Sequence, residues 1–136
     1  MCRPLLVGML CAGLLSACGT PPYRPAATAQ SARVHFVKFD MPYLCLSGER
    51  FVLPKDGNGD ASIPAGQSVH LLGSYQNAGG HCSAAVRFVP AAGEVYDVVN
   101  DVRAEHCIIN VMRHDASAQY GLRVEPSTRA PTICQP

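Results

Sequence analysis

The chain contains no tryptophan, and aromatic residues make up only 7% of its 136 positions. Its five tyrosines are scattered, so a stacking face for sugar rings is not expected. Charge is also scarce. Asp, Glu, Lys and Arg together reach 15%, with Lys+Arg 11 against Asp+Glu 10, which leaves no basic surplus to hold a nucleic acid. There is no Gly-x-Ser-x-Gly elbow, no His-Glu-x-x-His, no phosphate loop and no dinucleotide fingerprint. Neither an enzyme nor a cofactor is therefore expected. No window repeats its apolar residues with the period of an amphipathic helix, and residues 101–105 have room for one helical turn at most.

An apolar start is present. Met1-Cys2-Arg3-Pro4 precedes an apolar run over residues 5–15, and Leu15-Ser16-Ala17-Cys18 follows directly. A positive charge before a short apolar run fits a secretory signal, and the run falls short of the roughly 20 residues that a spanning helix needs. Leu15-Ser16-Ala17-Cys18 resembles the lipobox of bacterial lipoproteins, in which small residues precede an acylated cysteine that becomes the new N-terminus. The resemblance implies a signal peptide over 1–17, lipid attachment at Cys18 and an anchored protein without a membrane span. Gly19 stands where Asp would direct retention at the inner membrane, so the same resemblance implies the periplasmic side of the outer membrane. Loss of Arg3 with the leader brings Lys+Arg level with Asp+Glu at 10.

Residues 18–32 are rich in Pro and Ala and lack apolar periodicity, which reads as a flexible tether. An ordered extended strand along the domain is the alternative. The folded unit is expected over 33–136, about 100 residues, enough for one core and small enough to profit from covalent staples. From Arg33 onward the period is that of strands. Runs occur at 34–39, 50–53, 68–75, 82–88, 94–99, 107–112 and 120–124. In the fourth run Cys82, Ala84, Val86 and Phe88 share one face; in the sixth, Cys107, Ile109 and Val111 do. Gly, Asn and Pro clusters at 56–60, 64–66, 77–80 and 90–93 punctuate them. The prediction is all-β: a small antiparallel β-sandwich of Ig-like or transthyretin-like architecture, or a small barrel, with about 7 short strands. Pro64-Ala65-Gly66, Tyr75, Cys82, Arg87-Phe88, Pro90, Gly93, Tyr96 and Cys107 resemble a pattern in small bacterial lipoproteins; the likeness implies fold and location, with no activity.

The chain has seven cysteines. Cys2 and Cys11 lie in the leader and Cys18 at its edge, leaving Cys45, Cys82, Cys107 and Cys134 in the body. An even count in an exported domain implies two disulfides, for which three pairings exist. Cys82 with Cys107 and Cys45 with Cys134 is favoured. If 82–89 and 94–100 form a hairpin, Cys82 and Cys107 share a rim. Strands separated by a third lie roughly 9.6 Å apart, so the middle strand has to stop short for that bridge to form. Cys45 and Cys134 would tie down the C-terminal tail, closing a loop worth on the order of 4 kcal/mol.

Two metal readings compete with plainer ones. His81-Cys82 and His106-Cys107 carry zinc-type donors, but strand neighbours point to opposite faces and oxidation removes the thiolates. His35, His70 and His114 show no ligand spacing. Asp56-Gly57-Asn58-Gly59-Asp60 matches the first half of an EF-hand-type calcium loop, with Asp56, Asn58 and Asp60 as donors. Ala61 and Gln67 then occupy the places of the required Gly and Glu, and a polar hairpin turn accounts for the same residues. Met41, Tyr43, Leu44 and Leu46, or Ile108 and Met112, are candidates for a partner surface. Together these features predict an envelope domain that is attached to the membrane by lipid and acts by contact with an envelope protein. A ligand- or inhibitor-type binding module is the alternative.

Overall fold

The computed structural model describes residues 19–77, 80–103, 106–130 and 134. Residues 1–18, with the expected signal peptide, the lipobox-like Leu15-Ser16-Ala17-Cys18 and the expected lipid attachment at Cys18, lie outside the described residues. Within them are nine strands and no helix: β1 (Ser31–Val37), β2 (Met41–Leu46), β3 (Glu49–Val52), β4 (Asp60–Pro64), β5 (Val69–Asn77), β6 (Gly80–Phe88), β7 (Val95–Arg103), β8 (His106–His114) and β9 (Leu122–Val124). They form a five-stranded sheet, β4-β1-β7-β8-β9, and a four-stranded sheet, β3-β2-β5-β6. The sheets pack as a sandwich, and neither closes into a barrel. All pairings are antiparallel except β1 with β7, which run parallel.

Strand alternation puts one side of each sheet inside. Val34, Ile63, Tyr96, Val98, Ile109 and Val111 of the five-stranded sheet meet Leu44, Val69, Leu71, Val86 and Phe88 of the other. Each such side chain contributes roughly 1.5–3 kcal/mol on leaving water. Phe88 and Tyr96 meet edge to face at 5.3 Å, and the buried Tyr96 hydroxyl accepts the Ala91 N–H at 2.9 Å. The shared faces expected for Cys82, Val86 and Phe88 and for Ile109 and Val111 are the buried ones.

Two strands escaped the sequence reading, which counted about seven. β2 contains Pro42 and Cys45; of its partner-surface candidates, Leu44 is 0% exposed and belongs to the core, Tyr43 and Leu46 are half-buried and Met41 is exposed. β4 is short and lies between two turn signals. Ser47 (φ 53°) and Gly48 (φ 85°) join β2 to β3 in the left-handed conformation that a two-residue hairpin needs. Residues 101–103 continue β7 and form no helical turn.

The expected hairpin of 82–89 with 94–100 does not exist. β6 pairs with β5, and the 90–93 turn carries the chain across to the other sheet, where β7 joins β1 and β8. Periodicity shows which face of a strand is apolar and is silent on which sheet it joins. The Cys82–Cys107 bridge is present by a different route: it links the two sheets through the sandwich, with Cα atoms 5.7 Å apart. Cys45–Cys134 is the second bridge, at 5.9 Å. Residues 21–23 of the expected tether lie against β3. The Tyr23 N–H donates to the Val52 carbonyl at 2.8 Å, the Val52 N–H donates to Pro21 at 2.9 Å, and the Tyr23 ring packs on Phe51. The ordered unit thus begins ahead of Arg33.

Candidate functional site

Each sheet carries a cleft on its outer side. On the five-stranded sheet, strand parity turns Arg33 and His35 outward between β4 and β7, in register with Ser62 and Asp60 on one side and Val95 and Asp97 on the other. Arg33, Ser62 and Val95 floor a cleft of about 460 Å³, rimmed by the 56–60 loop and Glu94. Asp60 takes a hydrogen bond from His35 Nδ1 at 2.8 Å and lies 3.9 Å from the Arg33 guanidinium. A second pair, His114 Nε2 with Asp97 at 3.0 Å, stands farther along the same face. These cross-strand pairs are half exposed, and such contacts are worth a fraction of a kcal/mol.

The 56–60 loop is closed by its own first carboxylate. Asp56 Oδ1 accepts the N–H groups of Asn58 at 2.8 Å and Asp60 at 3.0 Å, and the Asp56 N–H donates to the Asp60 carbonyl at 2.7 Å. The Asp60 and Asn58 N–H groups hold the Asp56 carboxyl below the usual carboxylate range. The calcium candidates Asp56, Asn58 and Asp60 are therefore arranged as an Asx-type turn, with the Asp60 carboxylate directed to His35 and Arg33. Among the described residues no group of three His, Cys, Asp or Glu side chains is arranged to hold a metal. In the His-Cys dipeptides both cysteines are spent in the inter-sheet bridge, and His81 turns outward to Ser83 Oγ at 2.8 Å.

The four-stranded sheet carries the less charged surface. Register aligns Tyr43, Leu72 and Ala85 in one outward row across β2, β5 and β6. With Ser74, His81 and Ser83 they line a second cleft of about 460 Å³. Its floor is apolar, and its hydroxyl and imidazole groups collect at the β6 edge. Arg50 lies over the Tyr43 ring at 5.4 Å from its centroid. Among the described residues no carboxylate bonds to the His81 ring. The arrangement offers contact and hydrogen bonding.

A C-terminal strap is attached to the same sheet. After β9, buried Glu125 accepts the Ser127 N–H at 2.9 Å and its hydroxyl at 2.7 Å, and Ser127 Oγ accepts the Val89 N–H at 3.0 Å. Arg129 then pairs with Arg87 on the β6 edge, and Cys134 is bonded to Cys45 of β2. Cys45 and Arg87 are both in register with His70 of β5, so the strap ends two strands in from the edge it meets at Arg129. The cysteine pairing was legible in the sequence. The strap's bridge to β6 was not, because residues 125–130 have no strand period. Compared with known proteins, the chain matches no family model, no curated protein and no solved structure.

Proposed function

We propose that the protein is a lipid-anchored envelope domain, held on the periplasmic side of the outer membrane through Cys18, that acts by protein contact as an accessory or structural component. The observation that carries this reading is how the cysteines divide. All four body cysteines are consumed in two disulfides, which suits an oxidising compartment, and Cys18 stands in a lipobox immediately after the apolar leader. Acyl chains on that thiol would hold the domain at the membrane at roughly 0.8 kcal/mol per buried methylene. The near-neutral charge and the contact-type chemistry of the outer faces support a protein partner over a nucleic acid.

The test is Cys18→Ala in the full chain. Radiolabelled fatty acid is expected to disappear from the protein and the domain to leave the membrane fraction; membrane retention of the unlabelled variant would defeat the anchor. Crosslinking in intact cells then identifies what the tethered domain touches. The charged cleft at Arg33 favours a second reading, a module that binds a small polar ligand, and a ligand that copurifies with the domain and is lost in Arg33→Ala would support it.

A further inference from the structure

β6 is an edge strand of the four-stranded sheet, and its ladder to β5 runs without a bulge from Val69↔Phe88 to Asn77↔Gly80. In an antiparallel ladder alternate residues turn their N–H and C=O groups to opposite sides. Arg87 identifies the outward set: its N–H donates to the Arg129 carbonyl at 3.2 Å, and its carbonyl accepts the Arg129 N–H at 2.7 Å. Ala85, Ser83 and His81, two, four and six residues back, share that orientation. Among the described residues no backbone group pairs with them.

Natural sheets guard such an edge with lysine, proline, a bulge or an inward charge, because an unpaired edge is a template for another strand. The window His81-Cys82-Ser83-Ala84-Ala85 has none of these guards. It is bounded at one end by the Arg129 bridge and at the other by the start of the strand at Gly80.

We propose that residues 81–85 of β6 pair antiparallel with the same segment of a second copy, about a two-fold axis through Ser83. The outward positions are spaced evenly around Ser83. That axis sets Ser83 against itself and His81 against Ala85 in both directions, so every outward backbone group in the window is used. A shift by two residues toward Arg87 collides with Arg129, and a shift the other way runs off the strand. A slip by one turns outward groups against inward ones and exchanges the faces. The side chains agree with this alignment. The His81 ring of each copy arrives opposite small Ala85 of the other, beside the cleft bordered by Leu72 and Tyr43. The remaining pairs bring together only serine, alanine and bridged cysteine. The chain's formal net charge of +1 sets up little repulsion between copies.

The experiment uses the full chain in cells, with single cysteines introduced and oxidation scored on non-reducing gels. Ser83→Cys is expected to give a dimer at several times the yield of Tyr120→Cys, an exposed position away from β6. Differently tagged Ala85→Cys and His81→Cys chains expressed together should join to each other, whereas either alone should remain monomeric. Peptide mapping must find position 83 joined to position 83 with the native bridges intact. Ser83→Pro removes an outward N–H at an edge position that tolerates proline, and it should suppress the Ala85→Cys with His81→Cys product. Monomer from Ser83→Cys, yield equal to Tyr120→Cys, attachment to a different protein, or a crosslink insensitive to Ser83→Pro would each overturn the proposal.

Discussion

Cys82 and Cys107 face each other across the sandwich, one on the edge strand β6 and the other on β8, with Cα atoms 5.7 Å apart. Their bridge spans 25 residues of sequence, and Cys45–Cys134 spans 89. In the chain-entropy treatment the shorter loop is worth about 3.5 kcal/mol and the longer about 4.5 kcal/mol. Replacing both members of each pair with alanine should lower the free energy of unfolding by about these amounts, with the larger loss at the strap. Urea unfolding of the two double variants checks the order. A larger loss for Cys82→Ala with Cys107→Ala would show that the inter-sheet bridge contributes more than loop closure.

That bridge also shows what the sequence made legible. The facing of Cys82 and of Ile109 follows from period two, and two disulfides follow from an even count of four body cysteines, whereas the route by which Cys82 meets Cys107 does not. The neighbours of β6 do not follow, because the 90–93 turn closes a hairpin and a sheet-to-sheet crossing equally well. β4 was hidden because Asp60 and Pro64 at its ends read as parts of turns, although Ala61 and Ile63 between them are buried. Both outer clefts draw residues from three strands or more, in rows that appear only once the sheet order is known. No local signal marks them.

Beside the same bridge, Asn100 of β7 is 0% exposed. Its Oδ1 lies 3.7 Å from the Cys82 sulfur, and its Nδ2 has no acceptor among the described residues. A buried donor without a partner costs about 1–3 kcal/mol. Asn100→Val puts a strand-forming side chain of similar size there and removes that donor. It should raise the free energy of unfolding by about 1 kcal/mol in thermal or urea melts. Asn100→Asp places a charge in the same apolar surroundings and should lower it. Destabilisation by valine would show that the amide makes a contact worth keeping.

Gly73 of β5 and Phe39 occupy one space. Lys38, at φ 59°, turns the chain after β1 so that Phe39 enters the core, where it meets Phe36 edge to face at 5.2 Å. A Cβ on Gly73 would overlap Phe39 Cδ1 and Cε1, nearer than non-bonded carbons approach. Gly73→Ala should therefore cost about 3 kcal/mol through displacement of the ring. In a Phe39→Leu background the same substitution should cost clearly less, because the shorter side chain vacates the ring edge. A double-mutant cycle on unfolding free energies measures the difference, and additive losses would show that the two positions do not share this space.

The acid limb of stability should depend on two surface turns. Backbone N–H groups of Asp60 and Asn58 hold the Asp56 carboxyl low, and the Ser117 hydroxyl and N–H do the same for Asp115. Each native pKa is depressed, so the unfolded chain binds the proton more readily. The contribution of each turn is then fully present above the ordinary carboxylate pKa of about 4 and is lost as pH falls through the lower native value. Asp56→Ala and Asp115→Ala should each reduce the urea midpoint at pH 7. The gap to the parent should narrow as pH falls below the ordinary carboxylate range and close once it passes the lowered native values, where the parent carboxyls are themselves protonated. Midpoints measured at intervals between these limits test the sign. A gap that stayed constant down to the acid end would mean that the side chains act there by packing and not as charged acceptors.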